Sequence, residues 1–246
     1  MTPVFLPRRT KFAKQFTDRH LRFTKKFLRF HEPMLLTRPL CSNSKPLIHE
    51  CWKCGTDLDP VGQQYFCDCG VVQPPKLCRD FFCMMGMKVD FDVNVPDLKK
   101  QFTTLQRNLH PDKFTQKSET EKEFSLQQSS TVNKAYSTLL KPLSRALYML
   151  ELKGIFIEES NISAEPKFLM EILEINEELA EADSLEAVED IRTTNQKVMD
   201  DITASLSVAF RNGDLEEAKI LISKLKYYAN IEDKVKELRQ LYAHNL

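Results

Sequence analysis

The sequence predicts an all-α fold: a helical hairpin followed by a C-terminal three-helix bundle, with a small cysteine-rich knuckle module in front. Three observations predict it. Glycine is scarce, 6 in 246 residues, while Leu, Glu and Lys abound, a balance that favours helices over a β sandwich or barrel. From about residue 80 onward, apolar residues recur at helical spacing. Helix start and stop signals fall at the edges of those stretches.

The N-terminal segment stands apart by charge. The formal net charge is zero, yet residues 1–50 hold 11 of the 35 Lys/Arg and only 3 of the 35 Asp/Glu. A basic arm is attached to an acidic body. Within it Phe12, Phe16, Phe23, Phe27 and Phe30 fall within about 60° of one another on a helical wheel, with Lys14, Arg22, Lys25 and Arg29 mostly opposite. A basic amphipathic helix with few acids is the pattern of a mitochondrial presequence, and no apolar core of a secretory signal is present. The plainer reading is a basic tail that binds nucleic acid or a membrane surface. No apolar run is long enough to span a bilayer.

The seven cysteines are odd in number and follow no secretory signal, which disfavours a disulfide framework. Four are paired: Cys51-Trp52-Lys53-Cys54, then twelve residues, then Cys67-Asp68-Cys69. Two thiolate pairs separated by one short loop can supply four sulfurs to a tetrahedral structural zinc. Gly55 and Gly70 permit the tight turns of a knuckle. The second pair is unusually short, so Cys78, His49 or water remain alternatives for one ligand. An iron–sulfur cluster or a redox dithiol on the same thiols are weaker options. Cys41, Cys78 and Cys83 read as ordinary cysteines, Cys83 as a small buried residue in the first helix after the linker. Pro74-Pro75 marks that linker.

The hairpin follows. Asn94 can cap a helix near Pro96 to Leu109, with Pro96 and Asp97 suited to its first turn. Leu98, Phe102, Leu105 and Leu109 form its buried stripe. His110-Pro111-Asp112 stops it. Ser118-Glu119-Thr120-Glu121 reads as a capping box that opens a helix to about Leu140, with Phe124, Val132, Ala135, Tyr136 and Leu139 available for packing. Pro142 ends that helix, and residues 143–154 form a short connecting one. An exposed loop therefore sits at the tip of an antiparallel pair. Lys99, Lys100, Arg107 and Lys113 give it a basic surface suited to an acidic partner. The plainer reading is a proline turn with ordinary solvated charges. His110 lacks a neighbouring nucleophile or second titratable group, which argues against an enzyme.

Three more helices follow. The first spans about Pro166 to Ala182. Asp183-Ser184-Leu185-Glu186 caps the second, which Asn212-Gly213 ends. Asp214-Leu215-Glu216-Glu217 starts the last, with Ala218, Leu221, Leu225, Tyr228, Val235, Leu238 and Leu241 inward. In the first of these, Phe168, Ile172, Ile175, Leu179 and Ala182 share one face within about 40°. Leu169, Met170 and Leu173 fall on another, among Glu174, Glu177 and Glu181. Large apolar side chains set among glutamates suggest a partner site; a wide core stripe is the alternative.

Asp80-Phe81-Phe82, Leu105-Gln106-Arg107, His110-Pro111-Asp112-Lys113-Phe114, Asn133-Lys134-Ala135-Tyr136 and Leu139-Leu140-Lys141-Pro142-Leu143-Ser144-Arg145-Ala146 together resemble the HscB family of J-domain co-chaperones. The likeness continues through Phe168-Leu169-Met170-Glu171 and Lys224-Leu225-Lys226-Tyr227, covering about residues 78–246. The cysteine module resembles that of animal members, except that they usually carry Cys-x-x-Cys as the second pair. The resemblance implies a J-domain whose His110-Pro111-Asp112 engages a mitochondrial DnaK-type ATPase chaperone. It also implies an iron–sulfur scaffold protein bound on the face of Leu169, Met170, Leu173, Glu174, Glu177 and Glu181, with Tyr227 adding a contact. Cluster transfer to recipient apoproteins would follow.

The organisation expected is an arm over residues 1–45, a zinc module and linker over 46–75, a J-domain over 78–155 and a scaffold-binding domain over 156–246. Its expected place is the mitochondrial matrix, with the cytosol open to an uncleaved form, and without nucleic acid or membrane as partner. The competing readings are a zinc-ribbon nucleic-acid-binding protein with a helical oligomerisation tail, which the acidic body argues against, and a redox or metal-transfer enzyme.

Overall fold

The computed structural model of the chain describes residues 49–59, 65–75, 80–157 and 165–244. The amphipathic arm, Cys41 and Cys78 lie outside them. Two short strands, β1 (His49–Glu50) and β2 (Asp57–Leu58), pair antiparallel in the cysteine module. The helices are α1 (Phe81–Met84), α2 (Val95–Leu109), α3 (Glu119–Leu140), α4 (Pro142–Leu152), α5 (Pro166–Glu181), α6 (Leu185–Asn212) and α7 (Leu215–His244), with a 3-10 turn at Pro111–Phe114.

The boundaries follow local chemistry. Asp80 caps α1, Asn94 caps α2 through the Asp97 N–H, and Ser118 and Glu121 close a reciprocal capping box on α3. Each supplies an acceptor to an N–H that the helix itself leaves unpaired. Pro142 does more than stop α3: it occupies the first turn of α4, where its missing N–H is not needed. Ser184 caps α6, and Gly213 ends it at φ +72°. There the Gly213 and Asp214 N–H groups reach the carbonyls of Phe210 and Ala209.

Helices α2 and α3 form the hairpin, and α1 and α4 pack beside α3. Leu98, Leu105 and Leu109 are buried along α2, and Phe102, half-buried, stacks on Tyr136 at 4.0 Å between ring centroids. A polar seam runs between the two helices. Ser125 Oγ donates to the Leu109 carbonyl at 2.8 Å, and Ser129 Oγ donates to Gln106 Oε1 at 2.9 Å. The Gln106 amide donates to Asn133 Oδ1 at 2.7 Å. Ser125 satisfies a carbonyl that the end of α2 would otherwise strand in the interior.

Helices α5, α6 and α7 form the antiparallel bundle, with α6 and α7 in the longest contact. Phe168, Ile172 and Leu179 of α5 are buried, together with Val188, Ile202, Leu206 and Ala209 of α6 and Ala218, Leu221, Leu225, Tyr228 and Val235 of α7. Two expectations fail. Cys83 is exposed, because α1 is one turn long and Phe82 and Met84 occupy its inward side. Leu241 is exposed in the last turns of α7.

Hairpin and bundle share one continuous apolar core. Phe91, fully buried, stacks on Phe210 of α6 at 5.3 Å, and the Arg145 guanidinium lies 4.9 Å from its ring centre. Arg145 Nη1 donates to the Leu139 carbonyl at 2.6 Å. Beside them Asp92 Oδ2 accepts from Ser207 Oγ at 2.6 Å and from Arg211 Nη2 at 3.0 Å.

The Ser207 hydroxyl, and then Arg211, hold the Asp92 carboxyl below its usual value despite some burial. A carboxyl whose folded pKa is depressed stabilises the fold above its ordinary pKa of about 3.9 and loses that effect as pH falls through the lowered one. Asp92→Asn is therefore expected to be less stable than wild type near pH 7, with the gap closing below about pH 4, as urea titrations across that range will show. No atom lies within 4 Å of a Cβ built at Gly213, so Gly213→Ala adds only backbone strain. Its expected cost is about 1 kcal/mol, read from the urea midpoint at unchanged slope.

Candidate functional site

Three places bring functional side chains together. The first is the cysteine module. Gly55, at φ +72°, closes the first knuckle with its N–H on the Cys51 carbonyl, and Gly70, at φ +83°, closes the second on the Cys67 carbonyl. That second turn is what lets a pair with one intervening residue present both sulfurs. Cys51, Cys54, Cys67 and Cys69 place all four Sγ atoms within 4.8 Å of one another. Cys51 and Cys69 are 3.7 Å apart, and Cys54 and Cys67 are 3.6 Å apart. A tetrahedron with Zn–S bonds of about 2.3 Å has sulfur–sulfur edges of about 3.8 Å. The donor set fits a divalent metal ion without Cys78 or His49.

The electrostatics agree. Burial opposes ionisation of Cys51, yet the N–H groups of Cys54 and Lys53 and the Gln73 amide bring its thiol down to about 6. At Cys67 the Cys69 N–H favours the thiolate, but burial and the three neighbouring sulfurs push the thiol up to about 12. The Thr56 hydroxyl and N–H lower Cys54. Four crowded sulfurs cannot all ionise unless a cation offsets their mutual repulsion. The module also has little core of its own: Cys51, Leu58, Cys67 and Val71. A bound ion would supply the cross-link that so small a segment needs.

The second place is the hairpin tip. Leu109 and Phe114 are buried on either side of it and pin the loop down. Between them His110 and Asp112 project outward, with the Asp112 side chain 87% exposed. The Asp112 N–H donates to His110 Nδ1 at 3.3 Å, and the Lys113 N–H donates to the His110 carbonyl at 3.0 Å. His110 Nδ1 also lies 3.4 Å from Asp112 Oδ2. One nitrogen cannot accept from the backbone and donate to the carboxylate at once. The exposure of the Asp112 side chain leaves its carboxylate open to another molecule. Lys99, Lys100, Arg107 and Lys113 are all exposed. On the α2 wheel Lys100 and Arg107 sit about 180–200° from Leu98, opposite the buried stripe.

The third place is the outer face of α5. Leu169, Met170 and Leu173 are 43%, 63% and 57% exposed, and Glu174, Glu177 and Glu181 are exposed with them. These apolar side chains are not core. The inner face is held by Phe168 against Tyr227 and Tyr228, edge-on at 5.5 and 6.0 Å. Polar tethers fix the helix along its length: Tyr228 to Glu171 at 2.6 Å, Lys234 to Asn176 at 2.5 Å and Tyr242 to the Ala182 carbonyl at 2.9 Å. Burial, and then Glu171, push the Tyr228 phenol up, so it stays a donor. Tyr227 is half-buried, with its ring and that of Phe168 packed edge to face. Sequence reasoning missed Gln73 and Gln128, buried polar residues that join the module to α3. Among the described residues no helix is long and apolar enough to cross a membrane.

A one-turn helix, a capped hairpin with a polar tip and a following three-helix bundle define a J-domain protein with a helical C-terminal extension. The model of the HSCB C-terminal oligomerisation domain matches residues 164–236, which span α5, α6 and most of α7. The chain is 44% identical over 195 residues to the mouse iron–sulfur cluster co-chaperone protein HscB, covering 78% of this chain and 83% of that protein. It is 43% identical over 189 residues to the human protein of that name, covering 76% and 80%. The crystal structure of human co-chaperone protein HscB superimposes with a TM-score of 0.72 at 42% identity, covering 78% of this chain and 98% of that one. The chain belongs to the HscB family of iron–sulfur cluster co-chaperones.

The metal reading has a direct check. Purified chain is expected to carry one zinc ion by mass spectrometry under native conditions. The ion is expected to be lost in Cys67→Ser and bound progressively less tightly as pH falls from about 8 to 5, because the thiols must release protons to bind it.

Proposed function

We propose that this chain is an adaptor in iron–sulfur cluster biogenesis that joins a mitochondrial DnaK-type ATPase to a cluster scaffold protein. The hairpin tip docks on the ATPase and stimulates hydrolysis. The outer face of α5 holds the scaffold. Hydrolysis then closes the chaperone on the scaffold, and cluster passes to recipient apoproteins. The chain works in the matrix, delivered there by the basic arm. It divides into that arm, a zinc-bound module, a J-domain over residues 78–155 and a scaffold-binding domain over 156–246. It acts by binding, with no chemistry of its own.

The observation that carries this reading is the position of Asp112, thrust into solvent between two capped helices. An exposed carboxylate can form a charge-assisted hydrogen bond to an arginine of another protein. Lys99, Lys100, Arg107 and Lys113 add a positive field that speeds encounter with an acidic ATPase surface and orients the tip. On α5, the apolar centre of Leu169, Met170 and Leu173 supplies desolvation energy, and the glutamates around it select a basic rim on the scaffold. The nucleic-acid reading has no support in the relatives, which are co-chaperones by name. The exposed acids of α5 would repel phosphate.

Two substitutions separate the surfaces. Asp112→Ala is expected to abolish ATPase stimulation in a single-turnover assay while changing stability by less than about 0.5 kcal/mol, as for other exposed side chains. Leu169→Ala combined with Leu173→Ala is expected to weaken scaffold binding by at least tenfold in calorimetry and to leave the melting temperature nearly unchanged. Full stimulation by the first variant, or unchanged affinity in the second, contradicts the corresponding surface.

A further inference from the structure

The residues after the second knuckle face two ways. Val71, Val72 and Gln73 are buried, Gln73 to 1% exposure. The Gln73 side-chain amide donates to Cys51 Sγ at 3.3 Å and to the Val71 carbonyl at 3.2 Å. Both partners are acceptors, so it is the amide nitrogen that faces the sulfur. The backbone of the same residue is gripped from the hairpin. Its carbonyl accepts from the side-chain amide of Gln128, itself buried midway along α3, at 3.0 Å. The neighbouring Val72 carbonyl accepts the Trp52 indole N–H at 2.8 Å. The Trp52 ring meets Phe124, one turn from Gln128, edge-on at 5.7 Å. The Gln73 N–H goes to the Tyr65 carbonyl, and the Tyr65 hydroxyl reaches the Met84 carbonyl at the end of α1 at 2.7 Å.

We infer that Gln73 is a positioning residue for the metal centre, and that through Gln128 it couples metal occupancy to the stability of α3. This rests on the zinc reading of the four cysteines. An amide N–H donated to sulfur is stronger when the sulfur is a thiolate, as a metal requires. Gln73 is closed in, and its side-chain amide on the sulfur and its backbone carbonyl under Gln128 belong to one residue; a shift of that residue away from Cys51 would strand its carbonyl or the Gln128 amide in the interior, which is costly. Metal binding therefore fixes Gln73, and a fixed Gln73 holds Gln128. The coupling is reciprocal by linkage: a firmly packed α3 raises metal affinity as much as the metal steadies α3. Because α3 carries one wall of the docking tip, the module acts as a brace for that tip.

The test uses the full chain and Gln128→Met, which removes the donor at similar volume, touches no sulfur and lies in neither docking surface. Zinc affinity is measured by competition with a chromogenic chelator. Hydrogen exchange of α3 amides is followed with zinc bound and after chelation. Zinc binding about tenfold weaker in Gln128→Met is expected, the effect typical of losing an outer-shell partner. Wild-type α3 is expected to exchange several-fold faster around Gln128 once zinc is removed, and the variant to exchange alike in both states. Unchanged zinc affinity in the variant, or wild-type exchange indifferent to zinc, overturns the coupling while leaving the metal site standing. A wild-type chain that binds no zinc overturns both. If Gln128→Met folds poorly, the wild-type exchange experiment decides alone.

Discussion

Phe91 packs its ring against Phe210 and under the Arg145 guanidinium, and the placing of the hairpin against the bundle depends on that joint. It draws together the loop before α2, the first turn of α4 and the end of α6. Arg145 is buried, and burial lowers its pKa against the opposing pull of Asp92. A guanidinium in such a place needs acceptors or an aromatic face. The Leu139 carbonyl and the Phe91 ring supply one of each. Asp92 adds its contacts to Ser207 and Arg211 at the rim. The hairpin and the bundle therefore do not hang on a free linker. Their cores are continuous, and the tip of the hairpin stands in a set relation to the outer face of α5.

Within that frame the two proposed docking surfaces are built by opposite means. The tip is held from behind by Leu109 and Phe114 and by the polar seam of Ser125, Ser129 and Gln106. What it shows to solvent is a stiff loop and one carboxylate. The face of α5 is held by an aromatic cluster and three polar tethers on its inner side. What it shows is apolar side chains ringed by acids. Rigid support matters for both, because a surface already in its bound shape loses less entropy on docking.

Much of this was legible in the sequence, for a physical reason. Helix ends are local events. Asn94, Ser118, Ser184 and Gly213 each act within three or four residues, so their roles can be read from spacing alone. The inward and outward faces of α5 follow from period as well, which separates Phe168 from Leu169. The exposure of Cys83 does not, because a helix of one turn has no period to read. Leu241 failed because α7 keeps its apolar pattern in its last turns, where the residue is exposed. The four-cysteine cluster was visible as two pairs, but the fit of the short second pair depended on the positive φ of Gly70. Gln73 and Gln128 were invisible: they lie 55 residues apart, and neither has any local pattern that marks it as buried.

The central claim is that the tip and the α5 face act as parts of one rigid body that brings two partners together. Complementation in trans tests it most directly. Asp112→Ala keeps the α5 face, and Leu169→Ala with Leu173→Ala keeps the tip. Single-turnover ATPase stimulation of the chaperone is measured with the scaffold present, for the intact chain and for an equimolar mixture of the two variants. The account predicts that the intact chain gives scaffold-dependent stimulation and that the mixture gives no more than the tip-competent variant alone. Stimulation by the mixture equal to that of the intact chain would contradict it, since the two surfaces would then have no need to share a frame.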